Sequence, residues 1–160
     1  MTALYEMAVA ALGTVAFALL FGVPARYYPY CGLIGGTGWF VYSMLVQGFS
    51  EPASALFATI AVILLSRTFA VRKQCPVTIF LISGIFPLVP GALVYWTAYY
   101  IVTDDMALAA RTGFLAVKVA VAIVLGIVFV FELPQGFFRF AAKKDKRALE
   151  EKGRKNDDMD

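Results

Sequence analysis

The sequence predicts an all-α integral membrane protein with five transmembrane helices, on the evidence of its composition, its apolar runs and its charge pattern. Hydrophobic residues make up 61% of the 160 residues and charged residues 16%, and the mean hydropathy is +0.76. Soluble domains carry far more charge and less apolar surface. We expect one membrane domain over 1–134, then a cytoplasmic interfacial helix and charged tail over 135–160. Five apolar stretches each approach the ~20 residues that cross a bilayer as a helix: about 3–23, 31–49, 53–71, 77–102 and 108–132.

The charges of the connections predict the orientation. Arg26 lies between the first two stretches, and Arg67, Arg72 and Lys73 gather near the third connection. Glu51 and the Asp104–Asp105 pair lie in the alternate connections. Because Lys and Arg accumulate on the cytoplasmic side, we expect the N-terminus outside and the C-terminus inside, although Arg111 then falls on the outer side. The protein is accordingly predicted to be a multi-pass protein of the cell (inner) membrane.

The first stretch carries a single acid, Glu6, near its predicted outer end, and ends at Gly22 and Pro24. The residues before Glu6 lack the basic region of a signal peptide, so we expect a retained helix. Gly and Pro directly after an apolar run are typical of a helix end.

The second stretch opens with a glycine run that includes Gly32, Gly35, Gly36 and Gly38. Small residues allow two membrane helices to approach closely. Tight helix packing is therefore the favoured interpretation, and direct contact with a substrate the less favoured one. A nucleotide-binding loop is excluded because the spacing is wrong and no strand precedes the run.

The third stretch is expected to serve as structural scaffold. The fourth stretch is interrupted near its centre by Pro87, Pro90 and Gly91. Each proline removes a backbone donor and disrupts the preceding turn. In lipid such a break survives only against protein or a water-filled cavity, and broken helices hold the substrate in many transporters. Ser83 precedes the break; Tyr95 follows it, either in an interfacial aromatic belt or with its hydroxyl in a cavity.

Lys118 lies eight to ten residues inside the fifth stretch. A charge at that depth costs about 2.5–3.5 kcal/mol on insertion scales, so the side chain is expected to face protein or water. The alternative is that its long side chain extends to the outer interface. We favour a role in a substrate or ion pathway, as partner of a substrate carboxylate.

Several functions are disfavoured by what the chain lacks. It contains no histidine and two isolated cysteines, Cys31 and Cys75, so we expect no metal and no cofactor. Acids are interleaved through the basic tail, so nucleic-acid binding is not expected and contact with lipid headgroups is preferred. Ser83 and Lys118 would resemble a Ser–Lys dyad if they met, but enzymatic chemistry has little other support.

Taken together, these residues predict transport. The half-helix ends at the break would expose carbonyls on one side and amides on the other, and the amide end favours an anionic group. Five spans are few for a complete carrier, and a unit with an odd number of spans is typical of one half of an inverted pair. We therefore expect a partner. A non-catalytic accessory subunit and a passive channel are the alternatives.

The glycine run 32–39, the segment 75–79 and the segment 86–91 with Tyr95 resemble the threonine/serine exporter family, specifically its small stand-alone second half, over about residues 5–135. The resemblance implies export of small hydrophilic carboxylates, which are threonine and serine in some members and dicarboxylates in others. It implies a larger companion subunit with five more spans and a soluble region. A second copy of this chain is the alternative partner, and a proton is the expected coupling ion.

Overall fold

The computed structural model describes residues 2–132, with side chains from Leu4 onward. Within that range every regular element is helical. The predicted tail over 135–160 lies outside the described residues. Short 3₁₀ turns occupy Ala25–Tyr27 and Phe86–Leu88. The six α-helices are α1 (Thr2–Leu20), α2 (Tyr28–Leu45), α3 (Glu51–Lys73), α4 (Val77–Ile85), α5 (Gly91–Val102) and α6 (Met106–Glu132).

The helix ends follow local chemistry and differ by a few residues from the predicted stretches. Gly22 ends α1 with a φ of 69°, a left-handed conformation that glycine adopts at little cost. Helix α2 begins at Tyr28, earlier than predicted, because Pro29 lies in its first turn, where proline's missing N–H would have no intrahelical partner. Gln74 ends α3 in the left-handed conformation.

Helix α2 is the centre of the bundle. It packs against α1, α3 and α4, while α3 also packs against α4 and α6. Helix α5 is different, because it packs chiefly against α6 and contains no buried residue. The core therefore lies among α1 to α4 and the inner face of α6. Its largest fully buried apolar side chains include Phe80, Ile34, Ile63 and Val62.

The glycine run allows α2 to lie very close to its neighbours. A Cβ placed on Gly35 would lie 1.9 Å from Thr14 Oγ1, and one on Gly36 would lie 3.2 Å from Ala11 Cβ. On Gly32 it would lie 3.0 Å from Val15 Cγ2. These three glycines face α1, whereas Gly38 faces α3, where an added Cβ would lie 2.4 Å from Val62 Cγ2.

The helices are of the membrane type in length and composition. Helices α3 and α6 are each long and apolar enough to span a bilayer, and α4 with α5 makes a third span if the bent pair is counted as one. Helix α1 contains a shorter apolar segment, Leu4–Leu20. The all-helical class and the membrane character are therefore confirmed. The count of five spans and the orientation stay predictions.

Candidate functional site

The break between α4 and α5 is built from one 3₁₀ turn and one tight turn. After Phe86–Leu88, Val89 is extended, with φ −61° and ψ 130°. Pro90 has φ −76° and ψ 53°, and Gly91 N donates to Val89 O at 2.7 Å across it, which is an inverse γ-turn. The two segments on either side are bent by 46°. The chain therefore changes direction at Pro87–Gly91.

Residues of the break are wedged against α1 and α2. The ring of Phe86 stacks on Phe17 of α1, with centroids 4.0 Å apart, and lies 5.4 Å from Phe21. Leu88 is buried, with 5% of its surface exposed, and it lies beside Gly38 of α2. Phe86 and Leu88 thus lie against protein, the setting that irregular backbone needs at membrane depth, whereas Val89 is 48% exposed.

Beside the break is a groove of about 340 Å³, here named the Glu6 groove, lined by Tyr5, Glu6, Val9, Ala10, Trp39 and Pro87. Among the described residues that line it, Glu6 is the charged one. Trp39 Nε1 of α2 donates a hydrogen bond to Glu6 Oε2 of α1 at 3.3 Å. The volume falls in the range of about 300–1,000 Å³ seen for small-molecule sites. Pro87 is the predicted site residue that joins this groove to the break.

Ser83 lies inside the bundle, one turn before the break. It is 1% exposed, and its hydroxyl donates to Ile79 O at 3.1 Å, a common arrangement for serine in a membrane helix. Ser83 also borders a second groove of about 300 Å³, formed with Phe21–Pro24 and the residues 78, 79 and 82 of α4.

Lys118 lies on the outer surface of α6. Its Nζ is 4.6 Å from the centroid of the Phe114 ring, a cation–π distance. It borders a third groove of about 370 Å³ between the start of α3 and the middle of α6, with Pro52, Ala53 and Leu56 on the α3 side. Lys118 is twelve residues beyond Met106, or about 18 Å along the helix.

Tyr95 projects from the surface of α5. It is 63% exposed, and its ring lies edge-on to Trp96 with centroids 5.4 Å apart. Trp96 also contacts Tyr99 and Tyr100. This continuous aromatic surface has the composition of an interfacial belt.

The predicted site residues are therefore distributed over several places. Pro87, Pro90 and Gly91 lie together at the break. Ser83 and Lys118 border two different grooves, so the fold does not gather them into one pocket, and Tyr95 lies on the exposed side of α5.

Two charged residues with notable contacts in the structure, Glu6 and Arg67, were not among the predicted site residues. Glu6 is the one acid among the first fifty residues, and that isolation was the available signal. Arg67 is 7% exposed, donates from Nη1 to Val130 O of α6, and lies 5.4 Å from the Phe131 ring centroid. The sequence grouped Arg67 with Arg72 and Lys73 near the third connection, and the packing of α6 against α3 encloses it.

Comparison with known proteins identifies the family. The profile described as "Threonine/Serine exporter, ThrE" matches residues 6–132, which is most of the chain and nearly all of the described bundle. The chain belongs to the threonine/serine exporter family. The resemblance drawn from the glycine run and the Pro-x-x-Pro-Gly segment is thereby confirmed, and membership indicates a transport-type function.

This exporter-family chain is also similar to an uncharacterized protein of Haemophilus influenzae, with 30% identity over 94 residues. The matched segment is 58% of this chain but 31% of the relative. The matched segment of this chain therefore spans about a third of the relative's length. No solved structure matches the exporter-family chain.

Proposed function

We propose that this chain is one half-subunit of a secondary transporter that exports small hydrophilic carboxylates, threonine and serine or dicarboxylates, across the inner membrane. In this proposal it works as a multi-pass, proton-coupled antiporter subunit and catalyses no covalent chemistry. It crosses the membrane five times, with the N-terminus outside. Family membership supports the transport class, and the broken helix beside a groove supports a substrate site near the break.

The observation that carries the proposal is the wedged break at Pro87–Gly91 beside a groove. A helix interrupted inside an apolar bundle leaves backbone groups without intrahelical partners. Here the interruption is bordered by the Glu6 groove of about 340 Å³ and has a 46° bend. Discontinuous helices with an adjoining cavity form the substrate sites of many secondary transporters.

The half-subunit assignment is supported by size and by surface. The Haemophilus influenzae relative is the longer chain, since the same matched segment is a smaller share of it. Helix α5 has no buried residue, and on α6 Phe114, Val117 and Val121 are each more than half exposed. We propose that the larger companion subunit, or a second copy of this chain, completes the transporter, with lipid over the remaining surface.

An accessory role is the second candidate. The close glycine packing between α1 and α2 would equally suit a subunit that only stabilises a partner. The break between α4 and α5 and the cation Lys118 in the middle of α6 favour the transport role, because a merely structural subunit gains nothing from them in the bilayer.

The test is substrate flux in proteoliposomes. Three preparations are compared: this chain alone, the companion subunit alone, and both together, each with labelled threonine, serine and succinate. Saturable flux that follows the proton gradient and needs both chains supports the half-subunit. Flux by this chain alone means self-assembly of copies, and equal flux by the companion alone means an accessory role. Unsaturable flux independent of the gradient means a channel.

A matched variant connects the flux to the break. Replacing Pro87 and Pro90 together by alanine restores two backbone donors and favours a continuous helix, because proline is about 3 kcal/mol less favourable than alanine inside a helix. We expect a folded protein with flux reduced at least about tenfold. Gly13→Ala is the control, since Gly13 lies outside the break and a Cβ there meets nothing within 4 Å. Full flux in the doubly substituted protein would remove the break from the mechanism.

A further inference from the structure

The Glu6 groove has the chemistry of a cation site, although the sequence predicted only anion recognition near the break. Within the described part of the chain, its lining consists of the Glu6 carboxylate and of aromatic or apolar side chains. Glu6 lies near the N-terminal end of α1 and is exposed, so its carboxylate is accessible to a ligand in the groove. A carboxylate with aromatic faces beside it favours an ammonium group.

The hydrogen bond from Trp39 holds this carboxylate in place across two helices. Trp39 Nε1 donates to Oε2, so the carboxylate is oriented by α2 while its backbone belongs to α1. An ionised carboxylate offers about four acceptor positions, and the indole uses one. The remaining positions are available to a ligand.

The helices that carry the two residues are fixed by the glycine packing. Gly36 lies three positions before Trp39 and faces Ala11 and Met7, one residue from Glu6. The close backbone contact thus fixes the positions of the two helices that carry the carboxylate and the indole. Pro87 supplies the opposite wall.

We propose that the Glu6 groove binds the ammonium group of a small zwitterionic amino acid, with Glu6 as the charged acceptor and Trp39 as the residue that positions it. The inference rests on the proposed function for the identity of the substrate, and it narrows that function. A dicarboxylate carries two negative charges and no ammonium group, so the Glu6 carboxylate would repel it. Threonine or serine brings an ammonium group that compensates the charge of Glu6. The site therefore selects amino acids over dicarboxylates.

The test uses the tryptophan of the groove as its own reporter. The chain contains two tryptophans, Trp39 and Trp96, so Trp96→Phe in the full-length protein leaves Trp39 alone. Its fluorescence is titrated in lipid nanodiscs with L-threonine, ethylammonium chloride, sodium acetate and succinate. We expect saturable changes with threonine and ethylammonium and none with acetate or succinate.

Charge removal at the groove provides the matched comparison. Glu6→Gln keeps the shape of the side chain and removes its charge. It is expected to weaken threonine binding at least about tenfold, which is the change in affinity expected when a hydrogen bond to a charged group is lost. Glu6→Asp is expected to retain intermediate binding. Asp104→Asn removes the same charge in the α5–α6 connection, at a φ of 62° that asparagine tolerates, and is expected to leave binding unchanged.

Each contrary outcome has a distinct meaning. Equal binding by the Glu6→Gln protein, or binding of acetate and succinate in place of ammonium compounds, overturns the site. A fluorescence change that follows only the acyl composition of the nanodisc means that the groove holds a lipid chain, which also overturns it. If Glu6→Gln does not fold, as judged by gel filtration and circular dichroism, the four-probe series on the Trp96→Phe protein decides.

The experiments distinguish failure of the Glu6 site from failure of the proposed transport function. Glu6-dependent binding without flux in any proteoliposome would preserve the site and refute the carrier. Flux of threonine that is indifferent to Glu6 would preserve the carrier and refute the site.

Discussion

The α1–α2 interface and the α5–α6 interface hold their helices together in different ways. Across the first, three glycines of α2 place its backbone directly against α1, with Gly35 so close to Thr14 that no Cβ could be added. Across the second, Thr97 donates a hydrogen bond to Thr112 at 3.0 Å, and a Cβ placed on Gly113 would lie 3.1 Å from the Thr97 methyl group. Helix α5 has no buried residue, and Thr97 itself is partly exposed.

The difference separates a closely packed interface from one whose outer helix is exposed on the surface of the bundle. Close backbone packing gains dispersion contacts along the whole crossing, so α1 and α2 position the Glu6 groove accurately. Helix α5 is connected to the bundle by the break and by its contacts with α6. In the proposed carrier, α1 to α4 would hold the substrate site while α5 is the part that moves or receives a partner. Four predictions follow this comparison in order of their effect on stability.

The largest effect is expected at Gly35. Gly35→Ala puts a methyl group against the β-branched and buried Thr14, and overpacking of this kind costs about 1–3 kcal/mol. The measurement is the free energy of unfolding in mixed micelles. Adding Thr14→Ala to Gly35→Ala is expected to recover much of the loss.

Gly13→Ala is the control for this pair, because a Cβ at Gly13 meets nothing within 4 Å. It is expected to leave stability unchanged or slightly raised. Equal losses for Gly13→Ala and Gly35→Ala would mean that α1 and α2 do not pack as described.

The second effect concerns Thr59, in the well-packed half of the molecule. Its Oγ1 is buried and has no hydrogen-bond partner among the described residues, while its methyl group lies 3.0 Å from a Cβ position on Gly126. Thr59→Val keeps the shape and removes a polar atom whose burial costs about 1–3 kcal/mol. Unfolding in the same micelles should show a gain of about 1 kcal/mol, and a loss would reveal a partner for this hydroxyl.

A smaller effect is expected at the α5–α6 contact. Thr97→Val removes the donor to Thr112, and such interhelical hydrogen bonds are worth about 0.6 kcal/mol on average in membrane proteins. A double-mutant cycle with Thr112→Val measures the coupling directly. A coupling several times larger would show that α5 is held as firmly as α1, and the contrast between the two interfaces would disappear.

The smallest effect on stability is expected at Lys118, an exposed residue whose substitution should change the free energy of unfolding by less than about 0.5 kcal/mol. Lys118→Ala is nevertheless expected to abolish export, since it removes the cation from the groove between α3 and α6. Lys118→Arg keeps the charge and is expected to retain part of the flux. Undiminished flux in Lys118→Ala would end its assigned role.

Much of the helix arrangement could be predicted from local chemistry. The Pro87, Pro90 and Gly91 break was predictable because proline and glycine act on their own backbone, whatever lies around them. The end of α1 at Gly22 followed for the same reason. The start of α2 was placed too late, because Pro29 can either precede a helix or occupy its first turn.

The candidate site was less predictable, because it depends on which helices are neighbours. Ser83 and Lys118 looked like members of one pathway, yet they border separate grooves. Glu6 and Trp39 are 33 positions apart, and no periodicity in either helix pairs them. The burial of Arg67 likewise follows from the position of α6 beside α3.

The sequence by itself determined the membrane character, the helical class, the broken fourth stretch and the family, because apolar length, proline placement and motif are properties of contiguous residues. Only the tertiary structure decided that the break is wedged between α1 and α2, that a carboxylate and an indole meet beside Pro87, and that α5 rests on α6. Those contacts join residues remote in the chain, and their geometry is set by how closely the glycine-lined backbones can approach.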